Sequence, residues 1–375
     1  MVSTHLSEPG CLLDIEHAMR EIARDPQQDL AISKGYASKR LGAMNDAARL
    51  QLLATWARSR PQGRLIFHGA NSVDGVLEEL CEYAPGIVAL RMCQGIRVGE
   101  SSVDRREALV PAIEKMNRTN DLVLEKIIKG RTIDFCCVSG SKVQYLRPLF
   151  NRFDPASVKG EREMFLLLSK LSDFVTKGDA RRVPQDFLGA CSIFASELFR
   201  NTQDHATRDY ARRPYLEHVE GLILGWQDEA QARDFRSHEK LRSFLAREQN
   251  EQRRTDGLRT LQLSFFDTGP GFASRLTGKK LSDLTLKEER EAVLKSLRKN
   301  ETSKREAGAG NGIPEVLTTL RRIGGLIAIR TGRLRLFRAF EPAEVGDLFA
   351  FEDWFPEPLA EAVGAVVSII VPIRR

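Results

Sequence analysis

Three short segments of this chain carry side chains suited to chemistry on a phosphorylated ligand. Glu197-Leu198-Phe199-Arg200-Asn201 sets a carboxylate and an amide four residues apart. Asp267-Thr268-Gly269-Pro270-Gly271 sets an aspartate against two glycines at the end of an apolar run, 262–266. Gly308-Ala309-Gly310-Asn311-Gly312 runs directly into an apolar-patterned stretch, Ile313 to Ile323. Side chains one helical turn apart stack on one face, so Glu197 and Asn201 point the same way if their segment is helical. Oxygen donors of that kind suit a hard cation such as Mg²⁺, and a carboxylate beside them suits a base acting on water. An aspartate at a strand end followed by glycines needs a sharp turn that lets backbone approach a ligand. Glycine-rich backbone opening a helix presents free N–H groups and the positive end of the helix dipole to phosphate. Taken singly, each pattern has an ordinary reading: an amphipathic helix with polar flanks, a β-turn, a flexible linker. Together they supply the parts of a nucleotide site.

The elements that must hold these residues are legible around them. Phe187, Cys191, Phe194 and Leu198 fall at i, i+4, i+7 and i+11, an apolar stripe that makes 185–206 helical with Glu197 and Asn201 beside the buried face. A further helix is expected over 162–176, a third within 284–299 and a fourth over 313–323. Apolar runs at 219–226, 258–266, 325–331, 334–340 and 365–372 read as strands, with a polar, helix-prone insertion between the first two. Helices followed by antiparallel strands predict an α+β unit, a two-layer α/β sandwich on a mixed, mostly antiparallel sheet.

The ordered set resembles the GHKL superfamily, the ATP-binding fold of gyrase, the heat-shock chaperone, mismatch-repair ATPases and sensor histidine kinases. Asn201-Thr-Gln-Asp-His205-Ala206 resembles its Asn-box, 267–272 its first glycine box, 308–312 its second, and Gly364-Ala-Val-Val-Ser-Ile-Ile-Val-Pro the closing strand of the kinase-type domains. The resemblance covers roughly 160 to 375. It implies ATP and Mg²⁺ as ligands: Glu197 as catalytic base, Asn201 on the metal, and Asp267 accepting from the adenine amine. Gly269, Gly271, Gly308, Gly310, Asn311 and Gly312 would shape the nucleotide pocket, with Lys304 reaching a phosphate. Residues 273 to 307 would be the lid, its few apolar anchors and glycine-rich flanks making it mobile without nucleotide.

The chain also departs from the family. In gyrase-like members a following domain delivers a catalytic lysine, and the sequence read this way is not expected to supply one within its 375 residues. It carries no histidine between His68 and His205 to serve as a phosphoacceptor, and His238-Glu239 lies inside the insertion. Retention of Glu197 favours an ATP hydrolase that moves its lid to regulate a partner protein. A protein kinase of anti-sigma or histidine-kinase type is the first alternative. A non-enzymatic interaction or nucleic-acid module with a degenerate site is the second.

At 375 residues the chain is long for one core, and roughly 150 residues per domain suggests two. The expected boundary is near 155, where Asp154-Pro155 and Gly160 interrupt the pattern. Residues 1–155 read as a smaller α/β unit of unassigned role, helical over 12–58 and α/β over 61–150, with strands at 64–68, 86–92 and 133–138 and helices at 73–83 and 105–129. The six cysteines have no metal-ligand spacing, and Cys81, Cys93, Cys136 and Cys191 lie in apolar segments, as reduced thiols of a cytoplasmic protein would. No apolar run reaches the ~18 residues of a membrane span, and the N-terminus lacks a signal-peptide layout. The formal net charge of +6 leaves nucleic-acid contact open, although alternating charges such as those of 228–254 read as solvated surface.

Overall fold

The computed structural model describes residues 3–33, 35–68, 72–151, 154, 157–177, 183–230, 232–255, 257–298, 312–342 and 344–374. The first part of the chain forms β1 (Ser3–Leu6), α1 (Leu12–Arg24), β2 (Asp29–Ile32), α2 (Ala43–Ser59), β3 (Arg64–Phe67), α3 (Val73–Cys81) and α4 (Ala84–Met92). It continues through β4 (Gly95–Val98), β5 (Ser101–Asp104), α5 (Arg105–Ala108), α6 (Val110–Asn120), α7 (Leu124–Ile127) and β6 (Thr132–Val138). Then follow α8 (Glu161–Thr176), α9 (Gln185–Asn201), β7 (Val219–Ala230), α10 (Glu239–Gln252), β8 (Leu258–Asp267), α11 (Gly271–Thr277) and α12 (Leu286–Leu297). The chain closes with α13 (Gly312–Ile323), β9 (Leu326–Gly332), β10 (Leu334–Ala339), β11 (Glu352–Asp353) and β12 (Ala362–Pro372).

Two sheets result. The smaller runs β1-β2-β3-β4-β5, parallel through β4 and closed by an antiparallel β4–β5 pair. The larger runs β11-β10-β9-β12-β8-β7-β6, and all its neighbouring pairs are antiparallel, where a mixed sheet was expected. Its strands read as nearly unbroken apolar runs because both faces are covered. Phe135, Leu222, Phe265, Ile329 and Val367 face α8, α9, α11, α12 and α13 in one core. Cys136, Ile223, Phe266, Ala328 and Val366 face the other way, into a core built with α1, α2, α4 and the small sheet.

The sheet is therefore sandwiched between helical layers on two sides, where one helical layer was expected. The helical insertion α10 joins the second side through Leu241 and Phe244. The boundary read near 155 also does not coincide with the sheet: β6 lies before it yet pairs with β7, from Thr132 opposite Gly225 to Val138 opposite Val219. Such a pairing spans some eighty residues of chain and leaves no local signal. Lys115 of α6 then locks β6 to the first unit, its Nζ donating to both carboxylate oxygens of buried Asp134 at 2.5 and 2.6 Å.

The N-terminal reading needs three corrections. Residues 86–92 are helix, not strand: Pro85 sits in the first turn of α4, and the helix is apolar because it is buried on nearly every side, so no period shows. The expected helix over 105–129 breaks into α5, α6 and α7 at Leu109-Val110-Pro111 and at Leu122, whose φ of 52° ends the second piece. The helical reading of 12–58 misses β2, only four residues long.

α2 is the central helix, with even Asn45, Asp46, Arg49 and Gln51 buried. Beside it, Glu16 of α1 reaches the large sheet: its Oε1 accepts from Arg330 Nε (2.9 Å) and Arg335 Nε (3.0 Å). Burial acts to raise the Glu16 carboxyl, but the two guanidinium groups outweigh it and hold it below its usual range. The carboxylate therefore stabilises the fold fully above the unfolded-chain pKa of about 4.3, and that contribution is lost as pH falls through the lower folded value. Glu16→Ala, which leaves two buried guanidinium groups without their carboxylate, is expected to lower unfolding free energy by about 3–5 kcal/mol. Urea titrations at pH 7 and on the acid side of pH 4 check both points, the wild type losing stability with acid and Glu16→Ala losing much less.

Candidate functional site

The site is built where α9, the β8–α11 turn and the start of α13 meet. Each is delivered by the cores described above. Phe194 packs edge-on against Phe265 of β8, with ring centroids 5.3 Å apart, which fixes α9 over the sheet. Helix α9 then loosens after Asn201 into a π-helical turn, Thr202–Ala206, a form that recurs at functional sites because it re-aims side chains.

Backbone crosses backbone at this point. A Cβ on Gly269 would lie 2.6 Å from the carbonyl oxygen of Ala206, so only glycine lets the turn after β8 touch the end of α9. The same turn is held by Asp267 Oδ1, which accepts from the Gly269 N–H at 2.8 Å, and by the Gly364 N–H, which donates to the Gly269 carbonyl at 2.8 Å. At the other edge, α13 starts so close to α9 that a Cβ on Gly312 would meet Phe194 Cα at 2.8 Å. The Gly312 N–H donates to Glu197 Oε2 at 2.7 Å. A carboxylate thus sits on the positive end of α13, where an anion is favoured.

Between these walls lies a cleft of about 520 Å³, with Glu197, Asn201, Asp204, Arg208, Tyr210 and Arg212 among its lining. Next to it is a slot of about 20 Å³ containing Asp267, room for a single water. Leu198, Phe272 and Arg275 line both. The Arg275 guanidinium lies over the Phe272 ring, 5.0 Å from its centroid. Burial lowers the Arg275 pKa, while the charges of Asp267 and Glu197 work against that fall. Burial in turn raises the Asp267 carboxyl, opposed by the Gly269 N–H and by Arg275. Directly across the strand pair from Asp267 stands Glu220, buried and raised well above the usual carboxylate range by desolvation and then by Asp267, with Gln203 Nε2 donating to its Oε1.

Of the residues singled out from sequence, Glu197, Asn201 and Gly312 come together at the cleft, and Asp267, Gly269 and Gly271 form the turn beside it. Lys304, Gly308, Gly310 and Asn311 lie outside the described residues. The described part of the expected lid is not poor in anchors: Leu281, Leu284, Ala292, Val293 and Leu297 are buried in the core, and Glu289 Oε2 pairs with Arg333 Nε at 2.7 Å. Arg208, Arg275 and Glu220 were missed. Arg275 carried one signal, its place eight residues after Asp267 on the helix that the glycine turn must start. Glu220 carried none, because its meaning comes from the register with β8.

Among the described residues no three His, Cys, Asp or Glu side chains gather as a metal cluster, and the six cysteines are free thiols, five of them buried. No helix among the described residues is long and apolar enough to cross a membrane. No family model, no curated protein and no solved structure matches this chain.

Gly269→Ala tests the crossing. Because backbone rather than a flexible side chain must yield, the substitution is expected to destabilise by about 1–3 kcal/mol. The check is urea unfolding against a Gly160→Ala control, where nothing stands near the added Cβ.

Proposed function

We propose that this chain is a Mg²⁺-dependent ATP-binding protein of GHKL type, hydrolysing ATP and using a nucleotide-driven conformational change to regulate a partner protein. The observation that carries the reading is convergence. Segments around 197–201, 267–271 and 312, far apart in sequence, meet at one cleft and the slot beside it, with Arg208 and Arg212 in the cleft wall and Arg275 facing the charges of Asp267 and Glu197. A volume of about 520 Å³ suits a nucleotide. Asn201 and Glu197 supply oxygen donors, and a divalent cation held by few protein oxygens takes its other ligands from phosphates and water.

In this reading Arg208 and Arg212 meet the phosphate charge. Asp267 reads the adenine amine after the Arg275 side chain has swung out of the slot, which as it stands is too small for a base. A phosphate arriving at the start of α13 competes with Glu197 for the Gly312 N–H. Glu197, released from that bond, is then free to accept a proton from the attacking water. Bound Mg²⁺ would neutralise phosphate charge and polarise the scissile phosphoryl group.

The Gly312–Glu197 bond also supports a second reading, in which Glu197 only caps α13 and the site binds nucleotide without cleaving it. Incubation with γ-labelled ATP separates the readings. Released phosphate favours hydrolysis, label retained on protein favours a kinase, and unchanged ATP favours a sensor. Glu197→Ala is expected to keep ATP binding and lose turnover by about 10²-fold or more. Asn201→Ala is expected to lose Mg²⁺-dependent binding as well. Native turnover in Glu197→Ala would remove the base from the mechanism.

A further inference from the structure

Helix α2 carries three polar side chains on one face, Gln51, Thr55 and Arg58, at i, i+4 and i+7. All three bond to main chain at one end of the large sheet. Gln51 Nε2 donates to the carbonyls of Arg330 (3.2 Å) and Val363 (3.0 Å). Thr55 Oγ1 accepts from the Val363 N–H at 3.0 Å. Arg58 Nη2 donates to the carbonyls of Glu217 and Thr268, each at 3.0 Å. Thr268 follows Asp267 in the chain, and Val363 precedes the Gly364 whose N–H holds the Gly269 carbonyl. An apolar stripe would cover the same strand ends and leave their buried carbonyls unpaired. The polar stripe instead fixes where each strand end lies.

Arg58 is the member nearest the site. Its guanidinium stacks on the Tyr215 ring, 4.0 Å from the centroid, and so bridges two strand ends and the loop between α9 and β7. Two more arginines of the N-terminal part grip that loop. Arg91 Nη2 donates to the Leu216 carbonyl at 3.0 Å, and Arg105 Nη1 pairs with Glu217 Oε1 at 2.9 Å. The loop they hold also carries Arg208, Tyr210 and Arg212 to the cleft.

We propose that Arg58 is a positioning residue for the Asp267 turn, through which the N-terminal layer sets how tightly and how selectively the site takes its base. This rests on the nucleotide reading above. Arg58 touches no ligand in it. By tying the Thr268 carbonyl to α2 it holds the Asp267 carboxylate at a fixed distance from the base edge, where adenine offers an amine and guanine a carbonyl. A side chain acting only as glue between layers would change stability and leave base preference alone.

The test is calorimetric titration of the full chain with Mg-ATP and Mg-GTP, beside thermal melts, for wild type, Arg58→Ala, Arg58→Lys and the core control Leu52→Ala. Loss of two hydrogen bonds from a charged donor is expected to weaken ATP binding roughly tenfold in Arg58→Ala and to reduce the preference for ATP over GTP. Arg58→Lys keeps the charge and loses the planar fork, so it moves both quantities the same way and decides the matter if Arg58→Ala does not fold. Leu52→Ala is expected to lower the melting temperature with affinity and preference unchanged. Wild type that binds ATP beside Arg58 variants with native affinity and preference would overturn the positioning role alone. Wild type that binds no ATP would overturn the nucleotide reading beneath it.

Discussion

The contact of the Asp267–Gly271 turn with the end of α9 is the constraint on which the site depends. It requires backbone to touch backbone, since Gly269 leaves no room for a Cβ beside Ala206. Once that crossing is made, the positions of the other parts follow. Asp267 ends β8, Asn201 directly precedes the π-helical segment with Glu197 one turn before it, and α11 starts inside the turn and carries Arg275 back over Phe272. The seven-stranded sheet makes the crossing possible by placing Phe265 under Phe194, so that α9 and β8 reach it together.

The site is also electrostatically crowded before any ligand enters. Two carboxylates, Asp267 and Glu220, stand in direct register across a strand pair, and a third, Glu197, faces the same Arg275. Desolvation raises both strand carboxylates, with Arg275 opposing the rise at Asp267. Arginines on the loop between α9 and β7 line the neighbouring cleft, so acidic and basic groups lie on different walls of the site.

Much of this was legible in sequence, and for local reasons. The stripe from Phe187 to Leu198, the glycines after Asp267 and the apolar runs of β7, β8, β9, β10 and β12 announce themselves within a dozen residues. The failures share the opposite property. β6 was assigned to the first unit because nothing near it points to β7. α4 looked like a strand because burial on all sides erased its period. The stripe of Gln51, Thr55 and Arg58 carries no local signal, since its partners are main-chain groups some 150 to 300 residues away. The second helical layer over the sheet followed from neither half alone, and it turns an expected pair of units into two halves with one shared core.

The most direct test of the account is the equilibrium binding of Mg-ATP to the full chain and to Asp267→Asn, followed by titration calorimetry with and without Mg²⁺. The account predicts saturable, Mg²⁺-dependent binding by the wild type, weakened about tenfold or more in Asp267→Asn as the buried amine exchanges a charged carboxylate for an amide that also brings an NH₂ donor. Absence of binding by the wild type, or identical isotherms for the two proteins, would contradict it.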